Sequence, residues 1–128
     1  MGVRFLSEEW AREITGALNS SDTFRAAAGD HSMKLQQLVA DASGDETKYY
    51  FTLEGGRAEV SLGEIADPDA TLTQSYETAA AIARQELNPQ QAFMQGKVKV
   101  TGNLMKLMQL QAVFTELPRA VAGVEVDY

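Results

Sequence analysis

The sequence predicts an α+β domain, a mostly antiparallel sheet with one buried face covered by helices. Three observations carry this. Short runs with apolar residues at every second position fill the middle of the chain. Apolar residues at helical spacing dominate the stretches before and after them. Turn-forming dipeptides such as Gly55-Gly56 and Asp67-Pro68 punctuate the runs.

Taken in order, Ser7 is placed to cap a helix whose first turn holds Glu8 and Glu9. Trp10, Ile14, Ala17 and Leu18 follow at helical spacing. Asn19-Ser20-Ser21-Asp22 ends that helix and caps a shorter one that would bury Phe24, Ala27 and Ala28 before Gly29. From Met33 the period becomes two. Met33 and Leu35, then Leu38 and Ala40, predict a strand with a phase slip at Gln36-Gln37. The segment from Asp41 through Ala42 to Asp45 is a turn cluster. Tyr49, Phe51 and Leu53 alternate with Tyr50, Thr52 and Glu54, and Gly55-Gly56 is a two-residue hairpin signal. The next strand alternates Ala58, Val60 and Leu62 with Arg57, Glu59 and Ser61. Ala70 to Thr73 then reads as the fourth strand of an antiparallel meander. Ser75 caps a helix from Tyr76 to about Leu87 whose alanines favour close packing. Asn88-Pro89 stops it, and Pro89 can open a short helix through Phe93 and Met94. Lys97 to Thr101 is a strand with Val98 and Val100 inward. Gly102-Asn103 turns into a final helix from about Leu104 to Leu117, limited by Pro118. The tail from Arg119 to Tyr128 has weak signals, and an irregular or fraying segment is expected.

Composition narrows the function. The 128 residues fit one domain. A net charge of −7 opposes nucleic acid and anionic bilayers, and Lys97, Lys99 and Lys106 are the nearest thing to a basic patch. No nucleic-acid partner is expected, and at most transient membrane contact. No cysteine means no disulfide framework and no thiol metal site, with a reducing cytoplasm as the default compartment. No stretch is apolar enough to span a membrane, and Met1 to Leu6 is too short and too quickly followed by acid to read as a secretory leader. His31 is the only histidine and reads as an exposed turn residue. The acidic pairs Glu8/Glu9, Asp45/Glu46 and Asp67/Asp69 fall at helix starts and turns, where capping and solvation explain them. No phosphate loop occurs. The reading is therefore of no catalysis, no cofactor and no metal.

The final helix is the informative element. At about 100° per residue, Leu104, Leu107, Met108, Leu110, Phe114 and Leu117 share one broad side, with Met105 at its edge. Lys106, Gln109, Val113 and Glu116 form the opposite strip. That arc is wider than a simple surface helix needs. The helix must face the sheet and something more: another helix, a partner chain or a ligand. Gln111 and Thr115 sit inside the arc and would need hydrogen-bond partners if buried. On this pattern alone a closed core is the more common explanation, since most apolar stripes are core.

The stretch from Asn88 to Gln111 resembles the sterol carrier protein 2 family. Pro89, Ala92 and Phe93 match a Pro-x-x-Ala-Phe step. Gly96, Lys97, Val98, Val100, Gly102 and Asn103 match the family's Gly-Lys-hydrophobic-x-hydrophobic-x-Gly-Asn run before a final apolar helix. The upstream strands and Asp69-Ala-Thr-Leu-Thr73 resemble it too, so the likeness spans about Leu35 to Phe114. It implies a five-stranded sheet covered by helices around an apolar tunnel that takes a fatty acyl chain, phospholipid or sterol. The family-like core would run over about 33–117, with extra N-terminal helices over 1–30, in a single domain. Met108 and Gln111 match tunnel-lining positions of the final helix, and Phe93 and Met94 an apolar pair beside the tunnel. The expected lining also takes Phe51, Leu53, Val60 and Leu72 from the strands, Ile82 from the alanine-rich helix, and Leu104, Leu107 and Phe114 from the final one. Val126-Asp127-Tyr128 is not a Ser-Lys-Leu type of peroxisomal address. The expected function is carriage of a lipid or other long apolar ligand, as a monomer or weak homodimer. The alternative is an interaction module that uses the apolar face of the final helix.

Overall fold

The computed structural model describes residues 2–41 and 43–127. Ala42 in the predicted turn, and the chain ends at Met1 and Tyr128, lie outside them. The elements run β1 (Val3–Arg4), α1 (Glu8–Ser20), α2 (Asp22–Ala28), β2 (Met33–Ala40), β3 (Glu46–Glu54), β4 (Arg57–Leu62) and β5 (Ala70–Ser75). Then follow α3 (Tyr76–Ala83), α4 (Pro89–Met94), β6 (Val98–Gly102), α5 (Leu104–Gln109), α6 (Gln111–Ala120) and β7 (Val126–Asp127). The predicted α+β class holds. The main sheet has five strands in the order β4-β3-β2-β5-β6, and every pairing but β2 with β5 is antiparallel.

The helix starts follow their caps. The hydroxyls of Ser7, Ser21 and Ser75 accept from the backbone N–H three residues on, at Trp10, Phe24 and Thr78. Gly55 and Gly56 both take positive φ, 58° and 79°, as a tight hairpin requires. Register then sorts the side chains. Met33, Leu35, Gln37 and Val39 stand opposite Leu53, Phe51, Tyr49 and Thr47, and Phe51 and Leu53 opposite Val60 and Ala58. This is the inner face, where Met33, Leu35, Val39, Phe51, Leu53, Ala58 and Val60 are buried. Trp10 of α1 meets Tyr49 edge-on at 5.3 Å, and Phe5 bridges Trp10 and Tyr76 at 5.3 and 5.4 Å. Helix α1 packs on β4, and α2 packs on α6.

Three expectations about the sheet and the alanine-rich helix need correction. The phase slip in β2 does not occur. Met33, Leu35, Gln37 and Val39 keep one phase, and Leu38 and Ala40 belong to the outer face with Gln36. Gln36 is buried there because the Gly63–Asp69 connection crosses over it. Its Nε2 donates to Tyr49 O and Gly63 O, and its Oε1 accepts from Ile65 N at 2.8 Å. That crossing corrects the meander too, since it carries β5 past β3 to pair in parallel with β2. The alanine-rich helix stops at Ala83 rather than near Leu87.

The largest difference lies in the final helix, which is two helices. At Leu110 (φ −99°, ψ 17°) the backbone leaves helical geometry, and its N–H donates to both Lys106 O and Leu107 O. The break resets the angular phase, so Val113, expected on the polar strip, is fully buried beside Leu110. Helix α6 runs past Pro118 to Ala120. The tail is also ordered by pairing. Val3 N donates to Glu125 O and Phe5 N to Asp127 O, both at 2.9 Å, which makes β1 and β7 a small parallel ribbon.

Candidate functional site

The predicted lining residues divide into two groups. Phe51, Leu53 and Val60 lie in the closed core with Trp10, Ile14 and Leu18 of α1 and take no part in an accessible surface. Leu72, Ile82, Leu107 and Phe114 are half-buried. Phe93 and Leu104 are about half exposed, at 47% and 46%. Met94 and Met108 reach 83% and 72%, and Met105, at the edge of the predicted arc, reaches 68%. Gln111 is exposed, and its carbonyl accepts from the Thr115 hydroxyl at 3.0 Å, so neither polar side chain of the apolar arc is buried.

The fold explains this gathering. Helix α4 packs against β6, the edge strand, and delivers Phe93 and Met94 there. On the inner face of β5 and β6, Leu72 stands opposite Val100, both half-buried, and Gln74 stands opposite Val98. Helix α5 leaves the sheet at Gly102, whose φ of 103° and surroundings exclude a side chain. A Cβ there would lie 2.6 Å from Asp69 O. Asn103 caps α5 through its Oδ1, which accepts from Lys106 N. Helix α5 packs chiefly on α6 rather than on the sheet, and no residue within it is buried. Leu104, Met105 and Met108 are therefore left exposed on a helix that Asn103 and the Lys106–Asp69 pair tie to the start of β5 and the end of β6.

Asp69 ties this region together, which the sequence reading missed by treating it as a solvated turn residue. Its Oδ2 accepts from Lys34 N at 2.7 Å and pairs with Lys106 Nζ at 3.3 Å, and its carbonyl accepts from Asn103 N at 2.8 Å. The Lys34 N–H, and after it Lys106, hold the Asp69 carboxyl below the usual carboxylate range. The second missed feature is a pair of amides on the inner face. Gln74 Nε2 donates to Gln37 Oε1 at 2.8 Å. Extending the strand from Thr73 to Gln74 would have placed that glutamine in the inward phase of Ala70 and Leu72. Tyr49, the inward tyrosine, has its phenol pKa pushed up by burial. His31 is exposed on the turn after α2, as expected.

Two concavities lie elsewhere. One of about 630 Å³ is lined by Glu9, Arg12, Glu13, Gly16, Ala17, Ser20 and Val124, the other, of about 410 Å³, by Thr15, Glu54, Arg57, Ala58 and Glu59. Neither includes a predicted lining residue, and their charged walls suit no apolar ligand. Among the described residues no cluster of histidine or carboxylate side chains could hold a metal ion, and no helix is long and apolar enough to cross a membrane.

Known proteins with this arrangement agree in family and in fold. Sterol carrier protein 2 of Gallus gallus is 32% identical over 68 residues, 53% of this chain but only 12% of that protein's length. A crystal structure of sterol carrier protein 2 superposes with a TM-score of 0.81 at 22% identity, covering 95% of this chain and all of the other. A solution structure of palmitated SCP2L2 from Aedes aegypti matches with a TM-score of 0.61 at 25% identity, over 89% of this chain and 95% of the other. The family model for the SCP-2 sterol transfer family matches residues 14–115, from inside α1 to α6, and the chain belongs to that family.

Proposed function

We propose that the chain carries a lipid or other long apolar ligand between the inner face of β5–β6 and helices α4 and α5, and that it catalyses no reaction. The observation that carries this is the exposure of Phe93, Met94, Leu104, Met105 and Met108 on α4 and α5, next to half-buried Leu72 and Val100 of β5 and β6, in a domain whose other described large apolar side chains are buried or half-buried. Family membership and the palmitated relative support it. Binding needs no reacting group, since each buried CH₂ contributes about 0.8 kcal/mol. Unbranched methionines suit a ligand of variable shape. A bound chain would draw α5 onto the sheet and form the roof of an internal tunnel. Cytoplasmic carriage suits a chain without cysteine and with a charge of −7, which favours brief collision with membranes over tight docking.

Mass spectrometry of the purified protein, native and after organic extraction, tests the proposal. A co-purified acyl chain, phospholipid or sterol is the expected result. A protein that stays empty after incubation with such ligands, and dimerises instead through α5, would replace this reading with an interaction module. Placement is tested by Met108→Trp. It should weaken lipid binding by about tenfold, the effect of overfilling a packed site by roughly 1–3 kcal/mol, and leave the melting temperature unchanged.

A further inference from the structure

The inner face of the sheet holds a polar pair that the fold does not need. Gln37 of β2 faces Leu72 in the parallel register, and Gln74 of β5 stands between Val39 and Val98. Both valines are buried, and Gln74 itself is only 8% exposed. Gln74 Nε2 donates to Gln37 Oε1 at 2.8 Å, but Gln74 Oε1 is buried with no hydrogen-bond partner among the described residues. A buried acceptor without a donor lowers stability, and an apolar side chain in its place would not. Exchanging oxygen and nitrogen in both amides does not remove the mismatch. Gln37 then becomes the donor, and the Gln74 NH₂ is left over.

We infer that Gln74, held in place by Gln37, is the head-group anchor of the apolar site proposed above, and that the ligand it takes carries a hydroxyl on a long apolar body. The inference rests on that site being a ligand site. A hydroxyl both donates and accepts, so it satisfies Gln74 in either amide orientation. An ionised carboxylate, an ether or an ester only accepts, so it opposes the Gln74 oxygen that the structure leaves unpartnered and satisfies the amide only in the exchanged orientation. Position fits as well. Leu72 lies two residues from Gln74 along β5, about 7 Å at the rise of a strand. From there β5 and β6 lead to Ala70 and Gly102, where α5 begins. A head group at Gln74 thus sends its apolar body along Leu72 and Val100 toward Leu104 and Met108.

The test is displacement of a fluorescent acyl probe from the full chain by matched pairs: hexadecanol against 1-methoxyhexadecane, and cholesterol against its methyl ether. The alcohol should bind about five- to tenfold more tightly than its ether, the yield of one buried neutral hydrogen bond. Preference within the hexadecanol pair assigns a fatty alcohol, and preference within the cholesterol pair a sterol. Gln74→Leu should abolish the preference, with each alcohol falling to the affinity of its own ether, and Gln74→Met serves the same purpose if the leucine variant does not fold. Equal affinity within both pairs in the unaltered protein, or a preference that survives in the variant, overturns the anchor while the carrier reading stands. Failure of the acyl probe itself to bind sinks the carrier reading and the anchor with it, whereas a bound probe that none of the four compounds displaces overturns the anchor alone.

Discussion

At the β4 edge of the sheet, helix α1 closes the structure twice over. Its buried Trp10, Ile14 and Leu18 join Phe51, Leu53 and Val60 in one core cluster, and its polar side chains satisfy the strand's outward backbone. Asn19 donates to Ala58 O and accepts from Ala58 N, both at 2.9 Å, while the Thr15 hydroxyl accepts from Val60 N at 2.9 Å. An edge strand treated this way offers no template for another chain. At the β6 edge the finish differs. Helix α4 packs on the strand, but Phe93 stays half-exposed, α5 packs chiefly on α6 and buries none of its residues, and Gln74 keeps an acceptor with no partner among the described residues. One protein thus contains a half built for stability and a half left with free apolar area and a free hydrogen-bond acceptor. Such an unfinished half is the physical requirement for holding a ligand.

Substitutions at equivalent chemistry should separate the halves. Leu53→Ala opens a cavity in the closed half and should cost about 2–5 kcal/mol of unfolding free energy, read by denaturant titration. Met108→Ala, on a side chain 72% exposed, should change stability by less than about 0.5 kcal/mol, yet weaken lipid binding. A large stability loss at Met108 would mean that the open half is closed core after all. Next in size is Asn19→Ala, which strips two hydrogen bonds from the Ala58 backbone and should cost about 1–3 kcal/mol without altering lipid affinity. An effect on affinity there would show that the edges communicate.

The closed half was legible in the sequence, and the open half only partly. Alternation in Tyr49 to Leu53 and Ala58 to Leu62, joined by Gly55-Gly56, carries its own phase, so register and inner face follow from local pattern. Phe93 and Met94 were named from the family resemblance around the Gly-Lys and Gly-Asn run, and Met108 from that resemblance together with an apolar arc too wide for one packing face; their exposure is what the structure adds. What failed was non-local. Periodicity cannot show a helix broken at Leu110, so Val113 was placed on the wrong side. It cannot show a loop crossing the outer face, so buried Gln36 looked like a slip in β2. Nor can it show strands of two residues such as β1 and β7, which exist only through each other. Asp69 was read as a turn residue because its partners, Lys34, Asn103 and Lys106, are assembled by the fold.

Asp69 also supplies the smallest effect, and one whose sign is fixed. Its carboxyl pKa is lowered in the folded protein from an ordinary value of 3.8, first by the Lys34 N–H and then by Lys106. A group shifted this way contributes stability that is fully present above its unfolded pKa and is lost as pH falls through the lower folded value. Asp69→Asn removes the charge, so the unaltered protein should be the more stable at neutral pH, and the gap should narrow below about pH 4. Lys106 and Asp69 side chains are 29% and 31% exposed, so solvent screens the pair and the gap should not exceed about 1 kcal/mol. Urea titrations of both proteins at neutral pH and at about pH 3 read it directly. Because Lys106 lies on α5, the same substitution loosens the helix that would roof the ligand. Lipid should leave the variant faster at neutral pH, while the closed half, which has no share in this ion pair, keeps its unfolding cooperativity. A gap that persists unchanged in acid would mean that Asp69 acts through the geometry of its turn rather than through its charge.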